Sequence, residues 1–321
     1  MCSLRGFGAS PQTSDHGQLK SHVYGGGTWL SEFALATGLP HELFGPAGAF
    51  ASFNVAPGIR QSFIRSLKAA GYYTVAVYPV RGGMMNARSA YRAYGFDAFL
   101  DADELGLSGQ FRTSDRLVHA AALKVLASAR QHGKPVFLFA VTIFNHADHG
   151  IAMDEVDPAT FAAAQAFSKE PAEWRNLADY VWRTREFEKS MDATRQEVLG
   201  STRPAVVAWF GDHQPPFANA PALRNAIKAF PAQPQVPDKY ITWFDIATNL
   251  GTPLARSPPA VTDIVFLPGL LAQRAGVPLD PWLGANVLAR QKCGSLLMEC
   301  PDSGWRDAYL TYLLDDLKEV E

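Results

Sequence analysis

The strongest constraint on this chain is a set of short, unbroken apolar runs placed between segments of helical period. Thr74-Val75-Ala76-Val77-Tyr78, Val136-Phe137-Leu138-Phe139-Ala140-Val141 and Val206-Val207-Ala208-Trp209-Phe210 do not alternate with polar residues. Runs of that length and pattern suit strands buried on both faces. Between them, residues 59–71 carry Ile59, Phe63, Ile64 and Leu67 on one helical face and stop at Gly71. Residues 117–131 repeat the pattern ahead of Gly133, and 174–199 read as a long helix with charges outward. A further strand is expected at 240–246, and further helices at 264–275 and 305–317. Strand and helix in alternation predict an α/β fold with a largely parallel central sheet and helices on both faces. Residues 1–22 are polar and aperiodic, so an irregular segment is expected there, followed by one catalytic domain over 23–321.

Composition closes off several function classes. A net charge of -2 over 321 residues gives no basic field for nucleic acid. No apolar run approaches the ~20 residues a membrane-spanning helix needs, and the start lacks the apolar core of a secretory signal. The chain as written is thus expected to be soluble, with no visible export address. Its three cysteines, Cys2, Cys293 and Cys300, are too few for a disulfide framework. Cys293 and Cys300 can pair locally or remain free thiols, and without a Cys-x-x-Cys a zinc ribbon is set aside.

In open α/β sheets the ligand site lies beyond the carboxyl ends of the strands. Here those ends gather chemistry. Tyr78 is followed by Pro79-Val80-Arg81 and then Arg88. Val141 leads to Asn145-His146 and His149, and Phe210 to Gly211-Asp212-His213. A carboxylate beside an imidazole suits zinc or manganese. The plainer reading makes Asp212 a cap and His213 a structural hydrogen-bond donor. Tyr24-Gly25-Gly26-Gly27-Thr28 lets backbone approach a ligand closely and puts a hydroxyl near a helix N-terminus, where anions are favoured. Read alone it is a loop with Thr28 as an ordinary cap. Arg88, or Arg81, could fork onto a phosphate or be a solvated loop arginine.

Four stretches taken together resemble the alkaline phosphatase and sulfatase superfamily, in its lipoteichoic acid synthase-like branch of phosphoglycerol and phosphoethanolamine transferases. They are 25–40, beginning Gly-Gly-Gly-Thr-Trp-Leu-Ser-Glu-Phe; 91–99, with Tyr-Gly-Phe-Asp; 139–146, ending Thr-Ile-Phe-Asn-His; and 210–215, Phe-Gly-Asp-His-Gln-Pro. The resemblance covers roughly 23–271. It implies Thr28 as nucleophile and metal ligand, Asp212 and His213 as further ligands, and one or two zinc or manganese ions. It further implies His146 near the phosphoryl oxygens or leaving group, and Arg88 with His149 at the substrate. The implied substrate is an anionic phospholipid headgroup or glycan, met at the periplasmic or extracellular face of a membrane.

Two departures stand out. The family's opening strand, which ends in a metal-binding acid, has no apolar counterpart in 1–21, so the sheet is expected to lack its first strand and the chain to be shortened at its front. Asp15 and His16 sit there in a polar context and are not expected to substitute. A catalytically dead binding module of the same fold, and a sulfuric ester hydrolase, are the alternatives. The latter conflicts with Thr28, which cannot become formylglycine.

Overall fold

A computed structural model describes residues 14–151, 153–226, 235–250 and 261–320. Seven strands form two sheets: β1 (Ser14–Lys20), β2 (Tyr73–Val77), β3 (Ala98–Leu100), β4 (Val136–Ala140), β5 (Val206–Phe210), β6 (Ile241–Thr248) and β7 (Thr262–Asp263). One sheet runs β3-β2-β4, the other β5-β6-β1-β7. The Phe139 and Phe210 rings stack 6.4 Å apart and join β4 to β5 across the gap.

The longer helices are α1 (Thr28–Thr37), α2 (Phe63–Ala69), α3 (Ala87–Tyr94), α4 (Asp115–Ala129), α5 (Pro158–Phe167), α6 (Pro171–Leu199), α7 (Leu267–Ala275), α8 (Pro281–Lys292) and α9 (Ser303–Thr311). No helix among the described residues is long and apolar enough to cross a membrane. The main core gathers Phe33, Leu39, Phe63, Tyr91 and Tyr94 with Ile246, Ile264, Phe266 and Trp282 in one cluster.

The α/β class holds, and the sheets are mixed. Pairing is parallel throughout β3-β2-β4 and between β1 and β7. β6 runs antiparallel to both β1 and β5, a detail of direction that the sequence pattern does not supply. The physical reason is simple: an apolar run announces burial and carries no direction.

One correction concerns the front of the chain. Residues 1–13, with Cys2, lie outside the described residues, but 14–20 form a strand in the middle of the second sheet, where an irregular segment was expected. Asp15, Gln18 and Lys20 are buried, His16 is exposed, and the two charged residues that are buried pair with distant partners. Arg274 Nε donates to Asp15 Oδ2 at 2.6 Å. Lys20 Nζ lies 2.7 Å from both carboxylate oxygens of Glu299, and Gln18 is fully buried. Periodicity searches look for apolar burial, so a strand buried through ion pairs escapes them.

Elsewhere the differences are at element ends. The helix expected over 59–71 begins at Phe63, because Ser62 caps it by accepting from Arg65 N and Ile59 instead bridges to Val320. The 264–275 segment opens as a 3-10 turn before α7. Cys293 and Cys300 are joined in a disulfide.

Candidate active site

The site is assembled where β5 ends beside the start of α1. Gly211 lets the tip of β5 lie against β6, since an added Cβ would come 3.1 Å from Thr242 Cβ. Gly211 N donates to Trp243 O, and Thr242 Oγ1 donates to Gly211 O. The next residue, Asp212, is tied to α1 through its carbonyl, which accepts from Ser31 Oγ at 2.6 Å.

The glycine arm is held from the same side. Gly25 N donates to Gln214 O at 2.9 Å, and Tyr24 Oη donates to Pro216 O at 3.2 Å. Gly25 has φ 73°, and a Cβ there would meet Pro216 Cβ at 3.1 Å, so both conformation and space demand glycine. Thr28 follows as the first residue of α1. The N–H groups of a first helical turn have no intrahelical acceptor, and they face an anion favourably.

These local constraints bring three donors together. Thr28 Oγ1 donates to Asp212 Oδ2 at 2.6 Å and lies 3.4 Å from His213 Nε2; the imidazole and carboxylate are 3.2 Å apart. His213 Nδ1 is engaged with Gln214 O at 3.0 Å, which leaves Nε2 turned to the other two donors. Ligands at ~2.1 Å around a tetrahedral zinc are separated by about 3.4 Å. The Thr28–His213 and Asp212–His213 spacings are close to that value, whereas the 2.6 Å between Thr28 and Asp212 is that of a hydrogen bond. No third acidic, imidazole or thiolate group joins Asp212 and His213 among the described residues. Asp15 is committed to Arg274.

Beside the three donors opens a cleft of about 590 Å³, lined by the glycine arm, Thr28, Tyr78, His146, Lys239 and Tyr240, among others. Of the residues expected at the substrate, His146 reaches it. Its ring stacks on Phe111 with centroids 4.4 Å apart, and Nδ1 is engaged with Ala147 O.

His149 does not reach it. It is buried against Tyr180 and Phe217, with Nε2 held at Asn145. Burial, joined by the Arg183 charge, pushes the imidazole down to about 4, so it is neutral. Arg88 also turns elsewhere. Its guanidinium donates to Asp101 at 2.7 Å and Glu104 at 2.9 Å, and those bonds raise it above the ordinary arginine value. Arg81 is solvent-exposed near Asp103.

Several site residues escaped the sequence reading. Tyr78 stands directly after β2, where the strand-end rule points. Glu32, one turn beyond Thr28, is buried; burial, helped by the Asp212 charge, pushes its carboxyl up to about 8. Arg183 on α6 is buried at 0 % exposure and uses all five guanidinium N–H groups. Two go to Asp179, and three to the carbonyls of Phe144, His146 and Asp148. Asp179 in turn accepts from the amides of Gly150 and Ile151. This pair fixes the segment that presents His146. Nothing in a helix pattern with charges outward marks an arginine that points inward.

Comparison with known proteins bears on the family and the fold. The sulfatase family model matches residues 7–271. An uncharacterized protein of Haemophilus influenzae is 27% identical over 311 residues, covering 93% of this chain and 54% of its own length. The chain thus spans about half the length of that relative. Among solved structures, the phosphoglycerol transferase GacH of Streptococcus pyogenes, determined with sn-glycerol-1-phosphate, is similar with TM-score 0.71 at 21% identity, over 96% of this chain and 80% of GacH. The lipoteichoic acid synthase LtaP of Listeria monocytogenes is similar with TM-score 0.60 at 17% identity, over 83% of this chain and 59% of LtaP. The chain belongs to the sulfatase family and shares the fold of GacH and LtaP.

Proposed function

We propose that the protein is a metal-assisted phosphoryl-group transferase or phosphodiesterase that uses Thr28 as nucleophile on a phosphoglycerol- or phosphoethanolamine-type ester. The observation that carries this reading is the meeting of Thr28, Asp212 and His213 within 2.6–3.4 Å at the edge of a cleft.

Thr28, Asp212 and His213 would hold one zinc or manganese ion. Such an ion lowers the pKa of a bound hydroxyl and offsets charge on phosphoryl oxygens. The chain's own groups account for the rest. Asp212 Oδ2 is placed to receive the Thr28 proton. Thr28 Oγ1 attacks phosphorus, the bond to the leaving oxygen breaks, and His146 supplies that oxygen's proton. The product is a phosphoryl-threonine. A glycan hydroxyl, a lipid or water then attacks phosphorus and gives its proton to His146, the bond from phosphorus to Thr28 Oγ1 breaks, and Asp212 returns its proton to Oγ1. The amides at the start of α1 face the phosphoryl oxygens throughout.

A phospholipid headgroup as donor and a glycan as acceptor accord with GacH being a phosphoglycerol transferase. The Cys293–Cys300 disulfide suits an oxidising, periplasmic or extracellular setting. A binding module of the same fold is the second reading, favoured by the lack of a third acid or imidazole donor among the described residues.

Turnover of bis(4-nitrophenyl) phosphate with manganese or zinc tests both. Thr28→Ala should lower it by roughly three orders of magnitude or more, because nucleophile and metal act as a unit. Equal turnover in that variant refutes the nucleophile. Stoichiometric metal binding that His213→Ala removes counts against the binding module.

A further inference from the structure

A cleft that handles phosphate esters needs fixed positive charge, and the two arginines nearest in sequence do not supply it. Arg88 is neutralised by Asp101 and Glu104. Arg81 is 81% exposed beside Asp103, and neither lines the cleft beside Thr28. The basic side chains that do line it, among the described residues, are His22, His146 and Lys239.

His22 is already spent. Its Nε2 lies 2.7 Å from Asp263 and its Nδ1 3.1 Å from Glu42, so any charge it carries is matched twice over. His146 is occupied with the leaving group. Lys239 differs from both. Its ammonium rests 4.8 Å from the centroid of the Tyr240 ring, and no carboxylate lies within ion-pair distance among the described residues. An aromatic face holds a cation without neutralising it.

The backbone beneath Lys239 is fixed. It sits in a single 3-10 turn, Asp238–Tyr240, just ahead of β6. The Tyr240 carbonyl accepts from both the amide and the hydroxyl of Ser21, at 2.9 and 3.2 Å. Ser21 directly follows β1, which leads into the glycine arm and Thr28. The root of the lysine and the nucleophile are thus held by one short stretch of chain. The head remains exposed and able to swing over the cleft.

We propose that Lys239 is a substrate-binding residue, the cation that pairs with the anionic oxygens of the phosphate ester in the cleft beside Thr28. The inference rests on the phosphoryl-transfer reading and adds to it the group that selects anionic over neutral esters. A lysine here acts as a flexible point charge where arginine would give a planar fork, so the cleft tolerates more than one orientation of the phosphate.

The test is calorimetric binding of sn-glycerol-1-phosphate to the full chain and to Lys239→Met and Lys239→Arg, with manganese present. Lys239→Met should weaken binding about tenfold or more, since hydrogen bonds to charged groups contribute about that much. Lys239→Arg should stay within about threefold of the parent, and the gap between parent and Lys239→Met should narrow as salt is raised. In turnover of bis(4-nitrophenyl) phosphate, Lys239→Met should raise KM more than it lowers kcat, as expected for binding shared by ground and transition states.

Equal affinity of parent and Lys239→Met overturns the assignment, as does a parent that fails to bind the probe at millimolar concentration. The two readings fail separately. An inactive Thr28→Ala with an unchanged Lys239→Met leaves the transferase and removes the lysine. An active Thr28→Ala with weakened binding in Lys239→Met does the reverse.

Discussion

Replacing Arg183 with methionine tests the buried ion pair that carries His146. The guanidinium is fully enclosed and its five N–H groups all have acceptors. Methionine fills part of the volume and supplies none of these bonds. Asp179, itself at 0 % exposure, would keep only the amides of Gly150 and Ile151 at hydrogen-bond distance, with Arg112 at 4.0 Å. Removing one partner of a buried pair costs about 3–5 kcal/mol, mostly from the charge left behind. For a domain of this size that corresponds to a Tm lower by roughly 4–8 °C.

Urea denaturation and thermal melting measure the loss. Hydrogen exchange should locate it, with amides around 144–151 opening first. Asp179→Leu combined with Arg183→Met should recover part of the stability, because no unpaired charge remains, although three carbonyls and two amides still lose their partners. An Arg183→Met variant within about 1 kcal/mol of the parent would refute the reasoning. So would a double variant as costly as the two single losses added together.

Two further expectations follow from other parts of the molecule. Burial works against charge on His22, but Asp263 and Glu42 outweigh it and carry the imidazole up to about 9. Its stabilisation is therefore complete below its ordinary value near 6.5 and disappears as pH climbs through about 9; denaturation midpoints across pH 6–10 should show this slope, and His22→Gln should flatten it. The Cys293–Cys300 bridge closes a short loop at a separation of seven residues, so Cys293→Ser with Cys300→Ser should cost about 2.5 kcal/mol by loop entropy; an unchanged urea midpoint in the double variant under non-reducing conditions would contradict that.

The sequence was most informative where burial is apolar and local. Val206–Phe210 is the strand expected, because five apolar residues ending at Gly211 leave little choice. The strand-end rule pointed to Asp212 and His213, while the meeting of Thr28 with them was legible only through the resemblance of the four stretches to a known family. Three kinds of feature were hidden. Direction was hidden, since no pattern marks β6 as antiparallel. Polar burial was hidden, so β1 looked like a tail. Side-chain pairing was hidden as well. Arg88 and Lys239 are both basic residues near strand ends, and only their neighbours show that one is neutralised and the other faces the cleft with its charge intact.

The strand that begins at Ser14 finds its partners at the opposite end of the chain. Asp15 and Arg274 are 259 positions apart, and Lys20 and Glu299 are 279. During synthesis the glycine arm emerges well before Arg274 and Glu299, so its platform cannot close until they follow. Contacts of such span slow folding and prolong the exposure of unpaired strand edges. Thr28 consequently gains its setting only after the distant partners of β1 have joined the sheet.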